Sequence, residues 1–109
     1  MKHRNADIAI ATATIRPEGS ELLNLEYTLF NVTGQEGEVL YALRVDKRSA
    51  NGNLLEREET HGLTGSLEDA TAMAKAFAAG TVPPCVLLEM VEEWEHPYFH
   101  TSREENTMP

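Results

Sequence analysis

Two runs of strict alternation constrain this chain more than any other feature. Leu23, Leu25, Tyr27 and Leu29 fall at every second position, with Asn24, Glu26 and Thr28 between them. Val39, Tyr41, Leu43 and Val45 repeat the pattern against Ala42, Arg44 and Asp46. Successive side chains of a strand point to opposite faces, so each run has one face to bury and one to leave in water. The runs predict strands over 22–32 and 38–48, joined through Gly34-Gln35-Glu36-Gly37 as an antiparallel hairpin.

Asn51-Gly52 is the sharpest turn signal in the chain. Both residues tolerate positive φ, which a type I′ turn requires, so a third strand is expected over 53–61. Glu56, Arg57, Glu58 and Glu59 crowd that strand with charge, which suits a sheet edge because charge there discourages pairing with other molecules. Upstream, Ile8, Ile10, Thr12 and Thr14 alternate with Ala9, Ala11 and Ala13. Residues 1–20 read as an N-terminal arm or an edge strand, with little on the alanine face to bury.

The period then changes. Ser66 can cap a helix start, Glu68 and Asp69 favour the positive end of its dipole, and Leu67, Ala70, Met73, Ala74 and Phe77 recur at helical spacing. Gly80 is expected at the left-handed position that ends the helix. Pro83 and Pro84 interrupt the chain, and a second helix is expected over 85–95, with Leu87, Leu88, Val91 and Trp94 along one stripe and Pro97 as its stop. Residues 101–109 read as a flexible tail. Strands followed by helices give an α+β domain over 21–100: an antiparallel three- to four-stranded meander sheet with two C-terminal helices packed on one face. Leu23, Leu25, Tyr27, Leu29, Val39, Tyr41, Leu43 and Val45 should meet Leu67, Met73, Phe77, Leu87, Val91 and Trp94 there.

At 109 residues the chain fits one domain. Its 18 acidic and 9 basic residues give a net charge of −9. Nucleic-acid binding needs cations to displace phosphate counterions, and the one local basic cluster, Arg44, Lys47 and Arg48, is flanked by acids. Neither a nucleic-acid nor a membrane-surface partner is expected. The single cysteine, Cys85, cannot close an internal disulfide. The apolar stretch after the basic residues at the N-terminus is too short and too rich in threonine for a secretory signal, and no run approaches the roughly 20 apolar residues that cross a bilayer. A cytoplasmic location is expected.

The residues that could carry chemistry are sparse. Glu92, His96 and His100 are spaced by four, and imidazole with carboxylate suits a transition metal, but Pro97 should break the helix before His100. Cys85 stands near a helix start, where a thiol can be activated, yet a nucleophile needs a base, and nothing in the sequence places His61 beside it; Val86-Leu87-Leu88 argues for a buried structural thiol. Glu56, Glu58 and Glu59 read as the solvated face of the edge strand rather than as paired catalytic carboxylates. No phosphate loop, CxxC pair or serine elbow is present.

The layout resembles that of a family of short uncharacterised proteins of clostridia-like Firmicutes. The residues that carry the likeness are Val39-Leu40-Tyr41-Ala42-Leu43-Arg44-Val45, then Leu63-Thr64-Gly65-Ser66-Leu67-Glu68-Asp69-Ala70, then Val82-Pro83-Pro84 and Val86-Leu87-Leu88-Glu89-Met90-Val91-Glu92-Glu93-Trp94. The likeness spans about residues 25–95. It departs from the family pattern where Cys85 or Val86 replaces a common histidine. It implies no activity, because the family has no assigned one.

Two functional classes follow. The first is a non-catalytic protein-interaction or regulatory module, in which Glu89, Glu92 and Glu93 of the second helix meet a basic protein partner. The alternative is a small metal-binding protein or enzyme using the C-terminal His/Glu cluster. No cofactor is expected, and a sheet edge could pair two copies into a homodimer.

Overall fold

The computed structural model describes residues 7–17 and 21–98. Four strands, β1 (Ile8–Ile15), β2 (Leu23–Thr33), β3 (Val39–Arg48) and β4 (Leu54–Glu59), form one antiparallel sheet in sequence order. Helix α1 (Leu67–Ala79) follows, then a 3-10 turn (Pro84–Val86) that runs directly into α2 (Leu87–Tyr98). The fold is the α+β meander that the change of period implies. The stretch 8–15 is an ordered strand, paired from Ile8↔Leu29 to Ile15↔Leu23 with a bulge between Ala9 and Ala11.

The alternating faces decide the layers. Tyr27↔Val45 and Leu29↔Leu43 are cross-strand pairs on the helix-facing side of the sheet, and all four residues are fully buried. α1 lies across β1, β2 and β3, and buries Ala70, Met73, Ala74 and Phe77. Alanine on β1 is less wasteful than the sequence suggests: Ala11 and Ala13 pack against the core under a helix whose own buried residues include alanines, so strand and helix can approach closely. Leu87 and Val91 bring α2 into the same core, where burying each large aliphatic side chain contributes about 1.5–3 kcal/mol. Val39 and Leu67, expected in this core, are exposed, because each sits at the end of its element beyond the reach of the opposite layer. Trp94, expected to be largely buried against the sheet, is partly buried and meets Phe77 of α1 edge-to-face, with ring centroids 5.7 Å apart.

Three connections depart from the sequence reading in instructive ways. The two hairpins share one loop geometry. Gly37 N–H donates to the Gly34 carbonyl and Gly34 N–H to the Glu38 carbonyl; Gly52 N–H donates to Ser49 and Ser49 N–H to Asn53 in the same way. These are three-residue loops, a turn followed by a left-handed glycine, with φ of 86° at Gly37 and 92° at Gly52. Asn51 does not have positive φ, so the turn is not type I′: one extra loop residue places the left-handed conformation on glycine alone.

At the end of α1 the left-handed residue is Thr81, with φ of 51°, and not Gly80, with φ of −90°. Val82 N–H donates to Phe77 O and Thr81 N–H to Ala78 O, the crossed pair of bonds of a Schellman cap. Val82 and Phe77 are both in the core, and that contact fixes the cap one residue later than glycine would place it. Finally, α2 begins and ends later than expected. Pro84–Val86 is 3-10, and the helical backbone runs through Pro97 to Tyr98. The expected tail over 101–109 lies outside the described residues.

Between β4 and α1 the chain keeps following β3. Thr60 N–H donates to Leu43 O, Thr60 Oγ1 accepts from Leu43 N–H at 3.0 Å, Leu63 N–H then donates to Tyr41 O, and Tyr41 N–H donates to Thr64 O. Gly62 lies in this stretch so close to the sheet that a Cβ there would come within 2.8 Å of Val32 and 2.9 Å of Leu40.

Candidate functional site

Helix α2 carries the residues that the sequence singles out. Its apolar stripe is turned to the core, so Glu89, Glu92 and Glu93 fall on the outer side, and all three are exposed. Leu88, expected on the apolar stripe with Leu87 and Val91, instead stands among these acids, 49% exposed, because the residue after Leu87 is turned away from the core. Leu88, Val91, Glu92 and His61 line a shallow open depression at the junction of α2 and the segment after β4. Burial of Val91 and the β4 connection thus set an apolar floor beside an acidic rim.

The other candidates separate. Glu92 and His96 occupy successive turns of α2, but the His96 side chain and all of His100 lie outside the described residues. Among the described residues, no cluster of three or more His, Cys, Asp or Glu side chains is arranged to hold a metal ion. Cys85 is exposed rather than buried, because the 3-10 turn directs Pro84 inward and leaves the next residue outside. Glu56 and Glu59 are engaged: Glu56 with Lys47 Nζ at 3.1 Å and Glu59 with Arg44 Nη1 at 3.3 Å.

The sheet surface opposite the helices holds a charge network that the linear sequence conceals. Arg57 grips Asp46 with a two-pronged contact, Nε to Oδ1 at 2.6 Å and Nη2 to Oδ2 at 3.2 Å. Arg44 reaches Asp7 on β1's flank at 2.6 Å and Glu59 on β4 at 3.3 Å, and its guanidinium lies over the Phe30 ring, 5.7 Å from the centroid. Arg48 bonds Glu26 at 3.1 Å. One arginine on β3 therefore ties both outer strands together. The signal was available: Arg44, Asp46 and Arg48, like Arg57 and Glu59, alternate on one face, and antiparallel register brings the two sets together. Lys47, Arg44 and Arg48, the basic cluster of the sequence, all hold carboxylates. The outer pairs, Arg48 with Glu26 and Lys47 with Glu56, are partly exposed and contribute about 0–1 kcal/mol each, whereas Asp46 at the centre is buried and depends on its arginines to be satisfied.

Among the described residues, Tyr27 is the acid that the fold shifts strongly. Its hydroxyl donates to the Val82 carbonyl at 2.7 Å, and burial pushes its pKa up to about 12. It is a structural tie between the sheet and the Schellman cap, with no opening to solvent.

Comparison with known proteins adds the family and little else. Residues 7–96 match a family of unknown function (DUF6514). No curated protein and no solved structure matches the chain. No helix among the described residues is long and apolar enough to cross a membrane.

Proposed function

The chain belongs to the family of unknown function DUF6514, and from that premise we propose that it is a non-catalytic interaction module whose α2 surface docks a basic protein. The observation that carries the reading is the outer side of α2: Glu89, Glu92 and Glu93 are exposed together, α2 contains no lysine or arginine, and Leu88 and the depression beside His61 offer an apolar contact in their midst. Acidic residues around a small apolar anchor speed encounter with a basic patch and give it a place to seat. The carboxylates of the opposite sheet face are tied to arginines, whereas those of α2 are not balanced by any cation on their own helix.

The test is a pull-down at low and high salt, with wild type beside a Glu89→Lys, Glu92→Lys, Glu93→Lys variant. Charge acts over only about 8 Å at physiological ionic strength, so association through this surface weakens steeply with salt and is lost in the variant while circular dichroism stays unchanged. A partner retained undiminished by the variant rules the surface out. One observation favours metal binding as a second reading: the α2 backbone continues past Pro97, leaving Glu92 and His96 one turn apart. Stoichiometric Zn²⁺ or Ni²⁺ on untagged protein, lost in His96→Ala, would put that reading first.

A further inference from the structure

The sheet has two outer edges, and they are built differently. β4 carries Glu56, Arg57, Glu58 and Glu59, has a register shift against β3, and packs beside the 3-10 turn. Charges and bulges of this kind discourage a passing strand from pairing. β1 reads IAIATATI, eight residues with no charge and no proline, bracketed by Asp7 and Arg16. Half of its backbone N–H and C=O groups point away from β2, the sheet's only neighbour on that side among the described residues.

Pairing with β2 fixes which way each β1 residue faces. Ile8, Ala11, Ala13 and Ile15 stand opposite Leu29, Tyr27, Leu25 and Leu23 and so face the helices. Ala9, Thr12 and Thr14 stand opposite Thr28, Glu26 and Asn24 and face the other way. Asp7 also faces that way, since it meets Arg44 there. Ile10 is the extra residue at the bulge.

Laid antiparallel against a copy of itself, this strand is self-complementary in one register. With Thr12 opposite Thr12 of the second copy, Ala11 meets Ala13. Passing over the bulged Ile10, Ala9 then meets Thr14, Ile8 meets Ile15, and Asp7 meets Arg16. Every pair lies on a common face, the isoleucines meet on the helix side, and at each end Arg16 of one copy approaches the Asp7 carboxylate that Arg44 already holds in the other. A slip of one residue would set helix-facing side chains against outward ones, so the alternation selects against it. Ile8 is 38% exposed and Arg16 is exposed, so both are available to a second chain.

We propose that β1 pairs with β1 of a second copy of this chain about a two-fold axis at Thr12, joining two four-stranded sheets into one of eight strands. α1 crosses β1 in each copy, so the two helices flank the seam and the contact extends beyond the backbone bonds. The dimer is independent of the acidic α2 surface and presents it twice.

Sedimentation velocity on the full chain across a dilution series tests this directly. Wild type is expected to reach twice the 12.1 kDa of one chain. Thr12→Lys sets two ammonium groups face to face on the axis and is expected to leave only monomer with unchanged circular dichroism, since Thr12 is exposed. Wild type that stays monomeric at the highest concentration overturns the proposal, as does a Thr12→Lys chain that still dimerises. The register has its own readout. Directly opposed strand residues lie within disulfide reach, so Thr12→Cys in a Cys85→Ser background is expected to cross-link two copies on mild oxidation. Thr14→Cys in the same background opposes Ala9 and is expected to cross-link far less; equal cross-linking at both positions overturns the register.

Discussion

Tyr27→Phe removes one oxygen atom and tests how sheet and helices are joined. Tyr27 is fully buried, and its hydroxyl donates to the carbonyl of Val82, which is itself 6% exposed. The backbone N–H of Val82 is already committed to Phe77 in the Schellman cap. Phenylalanine fills the same volume, so no cavity opens, but the Val82 carbonyl is left in an apolar setting. Stranding a buried acceptor costs about 1–3 kcal/mol. In a domain of this size each kcal/mol shifts the melting temperature by about 4–8 °C, so a fall of roughly 10 °C is expected. Chemical denaturation should give a lower midpoint with an unchanged slope. The pH dependence adds a second signature. Burial raises the Tyr27 pKa to about 12 in the fold, against about 10 in an unfolded chain. Below pH 10 the phenol is neutral in both states and its contribution is fully present. As pH rises from 10 to 12 the unfolded phenol ionises first, which draws the wild type toward unfolding. The stability advantage of wild type over Tyr27→Phe is therefore flat to about pH 10 and shrinks above it. Equal midpoints at neutral pH, or a difference that does not change above pH 10, would refute the argument.

Two further substitutions probe the backbone. Gly62→Ala places a methyl within 2.8 Å of Val32 and 2.9 Å of Leu40, and the displacement this forces should cost about 1–3 kcal/mol by urea unfolding; a neutral result would mean that the segment after β4 does not lie against the sheet. Thr81→Gly relieves a β-branched residue held at φ of 51° and should raise stability by about 0.5–1 kcal/mol, the relief of about 1–2 kcal/mol being partly offset by glycine's greater freedom when unfolded; a loss of stability would show that the Thr81 hydroxyl bond to Gly80 O outweighs the strain.

By itself, the sequence determined the elements that depend on near neighbours. Alternation at Leu23–Leu29 and Val39–Val45 specifies strands with one buried face, and Ser66 specifies the start of α1, where its hydroxyl accepts from Asp69 N–H at 3.1 Å. The exposure of Glu89, Glu92 and Glu93 follows from the stripe formed by Leu87 and Val91. Tertiary structure decided what depends on distant partners. Thr81 and not Gly80 takes the left-handed position because Val82 must reach the core beside Phe77. Trp94 meets Phe77 of α1 and stays only partly buried, and Val39 and Leu67 stay in water, because depth in a core is set by what lies across from a residue rather than by its own hydrophobicity. The network around Asp46 joins residues from separate strands, so it exists only once the register of β3 with β2 and β4 is set. Local periodicity encodes which face a side chain takes, and only the packed chain supplies what that face meets.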